Sequence, residues 1–137
     1  MPDLPLEPWR RCWRLGVVPE LSTAALQALA RGLADNDEAI IQGETVLPTY
    51  LPSVANLAVE AACPLSYAGW QGDGLRTVGE VEEFFEMVCG AIDLRLDEGA
   101  GCRWFINWVD ETPRDVVRSL LLEEVELALN QRMKDEG

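Results

Sequence analysis

The sequence predicts an all-α protein: a single irregular helical bundle of about five helices with an extended N-terminal arm, forming one domain over residues 1–137. Three observations carry the prediction. Helix start signals recur at Ser22, at Thr77-Val78-Gly79-Glu80 and at Thr112-Pro113-Arg114-Asp115, where a side-chain oxygen can accept from the unpaired N–H groups of a first turn. Apolar residues follow these signals at the spacing of a helical face. Residues 43–52, rich in β-branched residues, are interrupted by Pro48 and ended by Pro52. A chain of 137 residues is long enough to close one core and is of ordinary size for one domain.

Residues 1–21 form the arm. Pro2, Pro5, Pro8 and Pro19 rule out a long helix before Ser22 and leave room for a turn or two between Trp9 and Leu15. Trp9, Trp13, Leu15, Val17 and Val18 are too apolar to be left in water together, so the arm is expected to pack. Helix one then starts after Ser22, carries Leu26, Leu29 and Leu33 on one side, and ends before Asp35-Asn36-Asp37. That acidic triplet does not open a calcium loop, because Ala39, Ile40 and Val46 occupy the ligand, glycine and bidentate-glutamate positions. Residues 43–52 read as an extended loop or an edge strand. A second helix is expected after Ser53, with Val54, Leu57, Ala58 and Ala61 on one face and Pro64 stopping or kinking it.

Residues 65–70 suit a further turn or two, and the glycine-rich residues 69–74 suit a loop. Thr77 and Glu80 form a capping box, so helix three starts there. Val78, Val81, Phe84, Phe85, Val88, Cys89, Ile92 and Leu96 share its inner face, edged by Glu82, Glu86 and Asp93. Glycines in residues 98–101 end it. Residues 102–109 predict a short helix with Trp104 and Trp108 one turn apart. The last helix runs from Thr112 to about Met133, with Val117, Leu121 and Val125 on one side and Val116, Leu120 and Leu127 nearly opposite. A helix apolar on so much of its surface is either central to its domain or part of an oligomer interface.

The chemistry is bounded by an absence: the chain has no histidine, the commonest general base, nucleophile partner and metal ligand. Cys12, Cys63, Cys89 and Cys102 make no Cys-x-x-Cys pair, so a zinc site would need all four to converge. They read as buried thiols of a reduced compartment, with Cys12 distinguished by Arg10, Arg11 and Arg14, which favour a thiolate. Glu82, Glu83, Glu86 and Asp93 offer oxygen ligands to a divalent cation, but a solvated acidic face explains them more simply. No glycine-rich phosphate cradle occurs. The reading therefore assigns no catalytic residue, no metal ligand and no cofactor.

Charge is uneven as well as strongly negative, at −13 overall. Residues 1–34 carry four arginines against Asp3, Glu7 and Glu20, whereas residues 35–73 carry six acids and no base. Such a middle repels a phosphate backbone, so direct nucleic-acid binding is not expected. The arginine-rich arm is expected to lie on an acidic surface, its own or a neighbour's. No secretory leader and no apolar run of membrane-spanning length is legible, so the expected location is cytoplasmic, with no membrane partner.

The candidate interaction surface combines two segments and one loop residue: Trp9, Arg10, Arg11, Trp13 and Arg14 in the arm; Arg103, Trp104, Trp108 and Asp110 in the short helix; and Trp70. Tryptophan and arginine dominate binding hot spots; the competing reading makes the aromatics core. The function expected is that of a non-enzymatic acidic helical protein acting through protein–protein contacts, as an adaptor, assembly factor or regulatory subunit, with self-association into a homo-oligomer as a candidate state. Two alternatives are a DNA-mimic inhibitor of a nucleic-acid enzyme, and a small ligand-binding protein or carboxylate-based enzyme.

Overall fold

Ser22 and Thr77 cap their helices as their sequence contexts predict. Ser22 Oγ accepts from the Ala25 N–H at 3.0 Å, Thr77 Oγ1 accepts from the Glu80 N–H at 3.2 Å, and the Glu80 carboxylate accepts from the Thr77 N–H at 3.0 Å. In the computed structural model, which describes residues 6–97 and 101–136, these caps open two of six α-helices. The first, α1 (Pro8–Cys12), runs on through a π-helical turn (Trp13–Val17) and a 3₁₀ turn (Val18–Glu20). Then follow α2 (Thr23–Ala34), α3 (Pro64–Gly72), α4 (Val78–Leu96), α5 (Arg103–Glu111) and α6 (Arg114–Glu136). Between α2 and α3, β1 (Val46–Leu47) and β2 (Ala61–Ala62) pair antiparallel, Val46 with Ala62 and Leu47 with Ala61. The fold is all-α and bundle-like. No described helix is long and apolar enough to cross a membrane.

The described part of the arm packs, but it is coiled rather than extended. Pro8 sits in the first turn of α1, where its missing N–H costs nothing, and Pro19 falls in the 3₁₀ turn that ends the segment. Coiling puts Trp9, Cys12, Trp13 and Val17 on one side, and all four are buried.

The helix expected after Ser53 is absent. Pro52–Val54 makes a 3₁₀ turn, and the N–H groups that a helix would have paired locally go to distant carbonyls. Val59 donates to Arg76, Glu60 to Leu47, Ala62 to Ala39 and Cys63 to Thr45, at 2.8 to 3.2 Å. This ribbon gives partners to carbonyls of residues 39–47 and buries Val46 and Ala62 completely enough to join the core, satisfying both requirements on buried backbone at once.

Pro64 starts α3 instead of stopping its predecessor. The expected loop over residues 69–74 begins only at Asp73, because Gly69 and Gly72 serve close packing. A Cβ on Gly69 would lie 2.6 Å from the Phe84 ring, and one on Gly72 would lie 2.3 Å from Ala25 Cα. These glycines let α3 press onto α4 and α2.

The last helix ties the molecule together through arginines. Arg118 donates to the carbonyls of Leu33 and Ala34 at 2.7 and 3.0 Å, meeting the unpaired C-terminal end of α2. Arg114 donates to the carbonyls of Ile40 and Asp37 just beyond it. Arg132 donates to the carbonyls of Val18 and Leu21, both at 2.7 Å. Val117, Leu121 and Val125 are buried, whereas Val116 and Leu127 on the other side are exposed. The apolar residues of α6 thus divide between the core and an open face.

Candidate interaction surface

The two tryptophan- and arginine-rich segments meet. Trp9 of α1 and Trp108 of α5 stack face to face with ring centroids 3.6 Å apart and planes 5° from parallel. One turn on, Trp13 packs against Phe105 with centroids 5.5 Å apart. Trp9 and Trp13 are buried and Trp108 is half-buried, so this seam is mostly interior. The Trp13 indole N–H is buried without an acceptor among the described residues.

The arginines of the arm close over a residue that the sequence does not single out. Glu124 is only 2% exposed, and it accepts from Arg10 Nη1 at 2.7 Å and from Arg14 Nε and Nη2 at 2.8 Å each. Burial alone would push its carboxyl up, but the hydrogen bonds from Arg14 and Arg10 outweigh that and hold it below the usual carboxylate range. The Glu124 carboxylate in turn raises the Arg14 guanidinium above its ordinary value. Arg10 also lies over the Trp9 ring, 4.7 Å from its centroid. The expected acidic seat of the arm is therefore this chain's own α6. The signal for it is the Arg10–Arg14 spacing of one turn together with an acid in the buried stripe between Leu121 and Val125.

The remaining predicted positions lie apart from this node. Arg11, Arg103, Trp104 and Asp110 are exposed, Trp104 by 51%. Asp110 accepts from the Gly43 N–H at 2.9 Å, and Gln42 donates to the carbonyls of Val109 and Thr112, so the end of α5 is fastened to the loop after α2. Trp70 belongs to helix α3 rather than to a loop; it is half-buried and edge-on to Tyr67, 5.8 Å away. The Tyr67 hydroxyl donates to Asp37 at 2.7 Å. Burial and that acceptor hold the phenol well above its ordinary range, so it stays protonated.

Three of the four cysteines are held away from the thiolate. Cys12 is buried with its thiol donating to the Gly101 carbonyl at 3.4 Å, while Arg10 and Arg14 turn to Glu124. Burial pushes the Cys63, Cys89 and Cys102 thiols up, away from the thiolate. Among the described residues, no group of three or more Cys, Asp or Glu side chains is placed to hold a metal ion.

On α4 and α6, rows of acids with apolar residues between face solvent. On α6 the exposed row holds Asp115, Val116, Glu123, Glu126 and Leu127; on α4 it holds Glu83, Glu86, Met87, Gly90 and Leu94. Glu82, half-buried at the border of α4, has its carboxyl raised by burial and by Glu86 beside it. A groove of about 500 Å³ runs between the π-helical turn and α6, with Val18, Leu127 and Ala128 in its walls. Its charges are engaged, Arg14 with Glu124, Arg132 with carbonyls and Asp135 with the Gln131 amide. No protein-family model, no characterised protein and no solved structure matches this chain.

Proposed function

We propose that this protein is a non-enzymatic adaptor, assembly factor or regulatory subunit that works by binding a basic protein through its carboxylate exterior. One observation carries the reading: at least six of the ten arginines are engaged within the molecule, while most described carboxylates are exposed. Arg10 and Arg14 hold Glu124, Arg95 holds Glu20 at 2.6 Å, and Arg114, Arg118 and Arg132 hold backbone carbonyls. Arg11, Arg31, Arg76 and Arg103 stay exposed, but exposed carboxylates outnumber the exposed bases, and on α4 and α6 they include Glu83, Glu86, Asp115, Glu123 and Glu126. A surface of one sign steers an oppositely charged partner and rejects like-charged ones. The raised thiols of Cys63, Cys89 and Cys102 and the missing histidine weigh against acid–base or nucleophilic catalysis.

The test is affinity capture from the source organism's nuclease-treated lysate at roughly 50 and 300 mM salt, with the products identified by mass spectrometry. A stoichiometric partner of net positive charge, weakened several-fold at the higher salt, is the expected result. Recovery of the bait alone overturns the reading. A captured DNA-binding enzyme that free duplex DNA displaces would turn it into the DNA-mimic reading, in which carboxylates stand where phosphates would.

A further inference from the structure

Helix α4 carries a glycine that its own fold does not need. Gly90 lies mid-helix and exposed, and a Cβ built there would meet nothing within 4 Å. Glycine in a helix interior is disfavoured against alanine, and elsewhere in this molecule helical glycines are explained by a neighbour pressed against them, as at buried Gly69 and half-buried Gly72. On the same outward line, one turn to either side, stand Met87, 66% exposed, and Leu94, 84% exposed. Exposed acids flank the strip: Glu83 and Glu86 toward the start of the helix and Asp97 just after its end. The strip therefore pairs an apolar centre, open to close backbone approach at Gly90, with a negative border.

We propose that the Met87–Gly90–Leu94 face of α4 is a docking site for a basic amphipathic helix of the partner protein. The occupant's apolar side lies along Met87 and Leu94, its backbone crosses nearest at Gly90, and its lysines or arginines reach Glu83, Glu86 and Asp97. Charge decides against a second copy of this chain: pairing α4 with α4 would set Glu86 against the Asp93 and Asp97 flank in the antiparallel arrangement, adding repulsion to two chains of −13 each. Recognition through an apolar helix face with a charged rim is an established mode of peptide binding.

This inference rests on the partner-binding reading above and names where and how that binding occurs. The full chain carrying a photoreactive amino acid at Leu94, and separately at Leu127 on α6, is irradiated in lysate, and the cross-linked peptides are sequenced. A Leu94 product containing a net-positive peptide with apolar residues at helical spacing supports the proposal. So does a tenfold or greater loss of captured partner in Gly90→Gln and Leu94→Asp, with Leu127→Asp within twofold of the parent and all three variants giving the parental far-UV spectrum. Partner cross-linked from Leu127 alone overturns the α4 site and leaves the partner-binding reading standing. A Leu94 product with this chain's own peptides, or with an acidic peptide, also overturns it. No partner cross-linked from either position overturns the α4 site, and the partner-binding reading falls with it only if affinity capture also recovers the bait alone.

Discussion

Removing the Glu124 carboxylate leaves Arg10 and Arg14 converging on a buried position with no counter-charge but exposed Glu7, 3.3 Å from Arg10, which is costlier than never having formed the pair. Glu124→Gln is therefore expected to lower unfolding stability at neutral pH by about 3 kcal/mol, the lower end of the range for breaking a buried pair, since one arginine is partly solvated. The pH dependence follows from the direction of the shift. A carboxyl held below its unfolded value of 4.5 contributes stability that is fully present above that value and is lost as pH falls through the folded one. Asp37 behaves alike: the hydrogen bond from the Ala39 N–H, then that from Tyr67, hold it low. Urea midpoints measured from pH 7 to pH 3 should fall steeply for the parent and less steeply for Glu124→Gln; parallel curves would remove Glu124 from the account. Half of this node was legible in the sequence. Arg10 and Arg14 were expected on an acidic surface, but Glu124 sits in a Glu123-Glu124 pair that reads as ordinary solvated acid until a buried stripe is drawn through it.

Helices α3 and α4 hold glycines with opposite meanings, and substitution separates them. Gly72→Ala drives a methyl into the backbone of Ala24 and Ala25, where no side chain can turn aside, so a loss of about 3 kcal/mol is expected, the upper end for overpacking. Gly90→Ala adds a methyl in open space and should gain up to about 1 kcal/mol from helix propensity. Thermal and urea unfolding of the two variants under one buffer measures both signs; equal effects would mean that neither glycine is set by its surroundings. The elements that were legible are those with local chemistry: the Ser22 cap, the Thr77–Glu80 box, and the start of α6 after Pro113. The missed ones lack it. Residues 53–61 hold small apolar side chains that fit a helical or an alternating pattern equally well, and only the distant carbonyls of Leu47, Ala39 and Thr45 decide between them. Gly69 and Gly72 read as loop residues because sequence reports their freedom and not the helix pressed against them.

Across the whole molecule charge is unevenly placed: at least six of the ten arginines are engaged in internal contacts, whereas most described carboxylates are exposed. The all-α class was readable from caps and periodicity, whereas the meeting of residue 10 with residue 124, and of Trp9 with Trp108, is a long-range fact of the packed chain. That uneven placement makes a prediction about salt. The Arg10–Glu124–Arg14 node has a buried centre and is screened weakly, while the exposed acids of α4 and α6 repel one another through water and are screened strongly. Raising sodium chloride from about 10 to about 150 mM shortens the screening length from roughly 30 to roughly 8 Å. The repulsion should fade faster than the bridges, and stability should rise by on the order of 1 kcal/mol, the scale of a few relieved surface contacts. Urea midpoints at the two salt concentrations, with the slope of the transition monitored to confirm that the unfolded state is unchanged, measure the sign directly. A midpoint that falls instead would place the balance with the surface bridge between Arg95 and Glu20, whose Arg95 side chain is 47% exposed, and would mean that the acidic exterior is held apart widely enough not to strain the fold.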